Sequence, residues 1–130
     1  MAIEQRGAQT LVLRLVPEPK DLNYNGHVSG GWILGNMDRA GGIAAYRRAG
    51  GPIVTVAVEN MVFVKPLLLN DFVSFHTKVV RVGRTSVTTD VELWIERPHE
   101  EGERLMAHGR YIYVAIDDEA HPRPLDMIRA

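Results

Sequence analysis

A single stretch of this chain, Ser29 to Arg48, has the repeat of a long helix, and that limits the folds open to it. Ile33, Met37, Ala40 and Ala44 recur there at three- and four-residue spacing and form one apolar stripe. Ser29 stands where an N-cap is needed, Arg47 and Arg48 suit the negative end of the helix dipole, and Gly50-Gly51-Pro52 stops the helix. The other patterned segments read as strands: Thr10 to Val16, Ile53 to Glu59, Phe72 to Val82, Ser86 to Glu96 and Leu105 to Asp117. In the fourth, Val87, Val91, Leu93 and Ile95 fall broadly on one face, and in the last Tyr111 and Tyr113 share a face. One helix cannot cover both faces of five strands, so the order strand, helix, four strands predicts an α+β fold with one sheet around one central helix. Short turns after the helix favour antiparallel pairing, and the uncovered surface favours a symmetric self-association.

The chain has 130 residues, an ordinary length for one domain, and residues 1–130 are expected to form a single domain. Its net charge of -1 gives no overall field that would favour nucleic acid or an anionic membrane. With no cysteine it has no disulfide, no thiolate nucleophile and no cysteine metal site. Met1 to Gln9 lacks the apolar core of a signal peptide, and no run approaches a membrane span, so the default expectation is cytoplasmic. The five histidines, His27, His76, His99, His108 and His121, show no helical pair spacing or ligand motif, so no metal is expected. Ser29, in Gly26-His27-Val28-Ser29-Gly30, lacks the spacing of a nucleophile elbow, which leaves a serine hydrolase unsupported.

Two features break local rules. Between Val16 and Ser29 lies a loop dense in turn formers (Pro17, Pro19, Asp21, Asn23, Asn25 and Gly26), longer than a mere connection needs. The helix also contains Gly30, Gly31, Gly35, Gly41 and Gly42, and each interior glycine costs roughly 0.8–1 kcal/mol relative to alanine. At about 100° per residue, the positions nearest Asp38 are Gly31, Leu34, Gly35, Gly41, Gly42 and Ala45. Asp38 therefore projects from a smooth strip beside the apolar stripe. Close packing against a sheet and close approach of a ligand are the two readings of that strip, and spacing alone leaves both open.

The run Asn23-Tyr24-Asn25-Gly26-His27-Val28-Ser29-Gly30-Gly31-Trp32-Ile33-Leu34, followed by Met37-Asp38, resembles the signature of YciA-type acyl-CoA thioesterases. The resemblance continues through Val54 to Met61, Phe63-Val64-Lys65-Pro66, Val82 to Ser86 and Val91 to Trp94, in order along most of the chain. It implies a hotdog fold, hydrolysis of acyl-CoA, a catalytic carboxylate at Asp38 and an active-site asparagine at Asn23. It also implies dimers gathered into tetramers or hexamers, with each active site shared across a dimer interface. His27 departs from the pattern, since relatives commonly carry Asp or Asn there, and its role is left open.

The chemistry assigns the remaining parts. Uncapped amides at the helix N-terminus, approachable at Gly30 and above all Gly31, would polarise the thioester oxygen. Asp38 would act as general base on water or as nucleophile, with Asn23 holding the water or the carbonyl. Gly83, Arg84, Thr85 and Ser86 form a strand connection suited to grip CoA phosphates, with Lys65 and Arg123 as weaker candidates. No cofactor is expected, because coenzyme A belongs to the substrate. Two other readings stay open: a hotdog 3-hydroxyacyl dehydratase using His27, and an acyl-CoA-binding module without turnover.

Overall fold

The computed structural model describes residues 9–126. Met1 to Ala8, all but the last residue of the stretch read as lacking a signal-peptide core, and Met127 to Ala130 lie outside the described residues. The elements run β1 (Thr10–Leu15), α1 (Gly30–Ala49), β2 (Ile53–Phe63), β3 (Phe72–Val82), β4 (Ser86–Glu96) and β5 (Glu103–Ala115). One five-stranded sheet has the order β1-β3-β4-β5-β2, and all four pairings are antiparallel. The α+β architecture read from the sequence is the one observed.

The helix lies on one face of this sheet. Ile33, Met37 and Ala40 of the expected stripe are buried against Phe75, Val91, Leu93, Tyr111 and Tyr113, whereas Ala44 is only half-buried. Ser29 caps the helix as expected: its Oγ accepts from the Trp32 N–H, and Gly50 closes the other end with φ 72°. The helix then runs in the direction of β5, so its N-terminus lies towards Ala107 and its C-terminus towards Ala115.

The second strand outruns the expectation of Ile53 to Glu59. Asn60, a turn former, does not end it. Asn60 takes φ 53° within a bulge between Glu59 and Val62, after which pairing with β5 resumes as far as Phe63. This edge strand keeps Val54, Val56, Val58, Val62 and Phe63 between 40% and 53% exposed, an apolar rim without a partner among the described residues.

Beyond β2 the chain is tied beneath the helix entry. Asp71 accepts from the Leu68 N–H and from the Arg97 guanidinium, and Val28 donates its N–H to Leu67. The tail runs over the surface, exposed from Asp117 to Pro122, and is tied down near its end. Leu125 donates to the Arg84 carbonyl and buries its side chain, and Arg123 Nη2 donates to the Ala49 carbonyl at the helix end.

Candidate active site

The five helical glycines differ in what surrounds them, and at Gly42 a Cβ would make only ordinary contact, at 3.9 Å, with Ile53 and Tyr113. A Cβ at Gly41 would stand 2.5 Å from the Tyr113 hydroxyl and 3.0 Å from both Thr89 Oγ1 and Val91 Cγ2. Gly41 is thus a close-packing glycine. At Gly30, Gly31 and Gly35 a Cβ would meet no heavy atom within 4 Å. The close-packing reading of the strip therefore holds at Gly41, and the strip is open at Gly30, Gly31 and Gly35.

Asp38 stands between these two regions of the helix. It is half-buried, and its Oδ1 accepts a hydrogen bond from Thr55 Oγ1 of β2 at 2.7 Å. Its backbone carbonyl accepts from the Tyr113 hydroxyl at 2.8 Å, and one turn earlier the Leu34 carbonyl accepts from the Tyr111 hydroxyl at 2.9 Å. Burial, reinforced by the negative charge of Asp38, pushes the Tyr111 hydroxyl up to about 12 and that of Tyr113 higher still. Both phenols therefore stay protonated donors at neutral pH.

Accounting for the first amides of the helix leaves two exposed donors. The Ile33 N–H bonds the Ser29 carbonyl and the Trp32 N–H bonds the Ser29 hydroxyl. Among the described residues the N–H groups of Gly30 and Gly31 have no partner, and a Cβ at either position would meet nothing within 4 Å. With no side chain at either position, these amides are open to the approach of an oxygen ligand.

Asn23 behaves first as a loop organiser. Its Oδ1 accepts from the Asn25 and His27 N–H groups at 2.9 and 3.2 Å, while its own N–H donates to the His27 carbonyl. Only its amide NH2 is left for a ligand. No hydrogen bond joins Asn23 to Asp38 within the chain. His27 is half-buried, and its backbone is bonded on both sides to Asn23.

The β3–β4 connection is a tight hairpin. Gly83 donates to the Ser86 carbonyl at 2.8 Å, and a Cβ on Gly83 would strike Ser86 Oγ at 2.6 Å. The carbonyls of Arg84 and Thr85 accept from Leu125 and Ala115, which fixes the turn while the Arg84 side chain stays exposed. Arg123 is committed to the Ala49 and Ile116 carbonyls. Lys65 is exposed but lies just beyond Phe63, which pairs with Ala107, whereas the Arg84 turn lies by Ala115, opposite Ile53. Strand rise separates those levels by about 30 Å, so Lys65 and Arg84 of one chain cannot hold the same phosphate. Among the described residues no group of three His, Cys, Asp or Glu is arranged to hold a metal ion.

Three residues at the site, Thr55, Tyr111 and Tyr113, were not singled out as functional by the sequence reading. The shared face of the two tyrosines was the available signal. Nothing local marks Thr55.

The chain belongs to the thioesterase superfamily, whose family model matches residues 25–102, and within it to the YciA-type acyl-CoA thioester hydrolases. It is 41% identical over 118 residues to the acyl-CoA thioester hydrolase YciA of Salmonella typhimurium, covering 88% of this chain and 89% of that protein. Among solved structures it is similar to HI0827, a hexameric broad-specificity acyl-coenzyme A thioesterase crystallised as an aspartate-to-alanine mutant. The TM-score is 0.87 at 35% identity, over 91% of this chain and 87% of that one. It is also similar to Cj0915, a hexameric hotdog-fold thioesterase of Campylobacter jejuni, with TM-score 0.83 and 32% identity over 88% of each chain. The hotdog fold implied by the sequence signature is the fold observed.

Proposed function

We propose that this protein is an acyl-CoA thioesterase that uses Asp38 to hydrolyse the thioester bond. The observation that carries this reading is the placement of the carboxylate: Thr55 holds one oxygen at 2.7 Å, beside a helix strip where Gly31 and Gly35 leave open space. The relatives named as acyl-CoA thioester hydrolases share the chain over nearly its whole length.

In the reaction, the Gly31 amide donates to the thioester oxygen and stabilises the charge that develops there. Asp38 either removes a proton from water as it attacks the carbonyl carbon, or attacks directly to form a mixed anhydride that water then opens. Both routes break the C–S bond, release the CoA thiol and leave the acid. The Asn23 amide NH2 orients the water or the carbonyl. Gly83, Arg84, Thr85 and Ser86 grip a CoA phosphate through the guanidinium and hydroxyls. Lys65 serves a different point of contact, given its distance from Arg84. No cofactor takes part.

The exposed valines of β2 flank Thr55, so an apolar partner surface lies close to Asp38. A second copy of this chain fits it, and the hexameric relatives support a hexamer of paired subunits with shared sites. A single-domain, cytoplasmic enzyme accords with this; no helix among the described residues is long and apolar enough to cross a membrane.

The test is release of free thiol from a panel of acyl-CoAs by the parent and by Asp38→Asn at matched folding. Loss of about a hundredfold or more in kcat is expected for the variant. Unchanged turnover would remove Asp38 from the chemistry, and water loss with the thioester intact would favour a dehydratase. Arg84→Ala is expected to raise KM about tenfold, the equivalent of one charge-assisted contact, with kcat little changed. An unchanged KM would remove Arg84 from the CoA site.

A further inference from the structure

The flank of α1 turned away from Asp38 carries a cavity that the thioester chemistry does not use. It lies between the last turns of the helix and the β1–β3 edge of the sheet, with a volume of about 340 Å³. Three cations, Arg47, Arg48 and Lys78, line it together with Thr10 and Thr77. At about 100° per residue, Arg47 lies half a turn around the helix from Asp38. Asp38 is bonded to β2, the opposite edge strand. The two edges are four strand spacings apart, or about 19 Å.

The cavity differs from a solvated charged face. No carboxylate lines it, and among the described residues the side chains of Arg47 and Lys78 make no hydrogen bond or ion pair. Arg48 gives Nη2 to the Asp126 carbonyl at 2.7 Å, but its Nη1 is buried without a partner among the described residues. Buried donors are almost always paired, so such an orphan calls for a bound water or ion. The helix dipole accounts for arginines in the last turn. It accounts neither for Lys78 on the facing strand nor for the orphaned nitrogen. The carbonyls of Tyr46 and Ala49 at this helix end already accept from the Gly50 N–H and from Arg123, so they do not neutralise the cations. Like charges gathered without a counter-charge repel one another, and an anion placed among them relieves that repulsion.

We propose that this cavity is a second ligand site, one that takes a diphosphate group, free or as part of a small ester. Guanidinium N–H groups match phosphate oxygens in pairs, and hydroxyls and an ammonium complete such a cradle. Three cations suit the several charges of a diphosphate better than the single charge of a fatty acid. Val12, Ala44 and Val79 form the rest of the wall, an apolar surface for the organic part of an ester. The volume falls in the usual range of small-ligand pockets, about 300–1,000 Å³.

The test is calorimetric titration of the full chain with inorganic pyrophosphate and, separately, with methyl diphosphate. Saturable binding is expected, weakened about five- to tenfold by Arg47→Gln and by Lys78→Gln and weakened further as salt rises. Both side chains are exposed, and melting curves check that the variants fold. Thiol release without pyrophosphate should stay within about twofold of the parent in both. Asp38→Asn should bind pyrophosphate as the parent does, so this site and the thioester chemistry stand or fall separately. Binding of both probes assigns the site to phosphate esters, and binding of pyrophosphate alone assigns it to the free ion; either supports the proposal. Four results would overturn it: no saturable binding of either probe, unchanged affinity in either variant, loss of pyrophosphate binding on saturation with CoA, or tighter binding of octanoate. The third would give the cations to the substrate's own phosphates, and the fourth would give the cavity to the acid product.

Discussion

The two halves of α1 carry the same unusual residue for opposite reasons. Towards the C-terminus, Gly41 lies under the Tyr113 hydroxyl, with Thr89 and Val91 3.0 Å from where its Cβ would be. Towards the N-terminus, a Cβ on Gly30, Gly31 or Gly35 would meet nothing within 4 Å among the described residues. Each glycine weakens the helix by a similar amount, but only at Gly41 does the fold recover the loss, through a buried hydroxyl-to-carbonyl bond. At the other end no contact among the described residues recovers it. The helix therefore contains a structural half, which fixes its depth on the sheet, and an open half, which the proposed function assigns to a ligand or a second copy of the chain. Asp38 sits at the boundary, anchored by the first and open to the second.

The largest test of that division is Gly41→Ala. Helix propensity alone would make it stabilising by about 1 kcal/mol. Overpacking against a rigid, hydrogen-bonded tyrosine costs about 1–3 kcal/mol, so net destabilisation is expected, read as a melting temperature lowered by several degrees. In a Tyr113→Phe background the oxygen that stood 2.5 Å away is gone, and the same substitution should cost at least about 0.5 kcal/mol less. Equal cost in both backgrounds would show that Tyr113 is not what Gly41 makes room for.

A smaller effect comes from alkaline pH, and it acts on the structural half alone. Tyr111 is pushed up to about 12 by burial and the Asp38 charge, and Tyr113 is raised further. An unfolded tyrosine ionises near 10, so above that pH the unfolded chain loses protons that the folded one keeps. The contribution is present in full below pH 10 and is lost as pH climbs through about 12. Urea midpoints at pH 9 and pH 11 should fall more steeply for the parent than for Tyr111→Phe. Parallel slopes would mean that the Tyr111 hydroxyl is not protected by the helix.

The same division separates what the sequence reveals from what it hides. Periodicity placed the helix within a residue or so at each end, and Ser29 and Gly50 supplied its caps, because those signals are local. The end of β2 was misplaced because Asn60 reads as a turn, and only pairing with β5 carries the strand across the bulge. Five glycines in one helix announced that something approaches it closely, but assigning each of them needs the opposite surface. Asp38 stood out from its smooth surroundings and from the family signature. Thr55 did not, since its role arises from a register that brings Val54 to Val114 and Thr55 to Tyr113 across some sixty positions of sequence. Arg123 shows the same limit: its bonds to the Ala49 and Ile116 carbonyls are visible only in the fold.

The smallest effect on stability is also the sharpest test of the open half. At Gly35 an added methyl meets nothing within 4 Å, and the backbone is ordinary helix, so Gly35→Ala should stabilise the subunit by up to about 1 kcal/mol. If the bare strip serves substrate or a second copy of the chain, that gain comes with a loss elsewhere: kcat/KM should fall about three- to tenfold, or the assembly should shift to smaller species in sizing by light scattering. Gly41→Ala should do the reverse, lowering stability first and activity only through the displaced Asp38. A Gly35→Ala protein that is more stable, equally active and equally assembled would leave the open half without a function, and the contrast between the two ends of the helix would then reduce to packing alone.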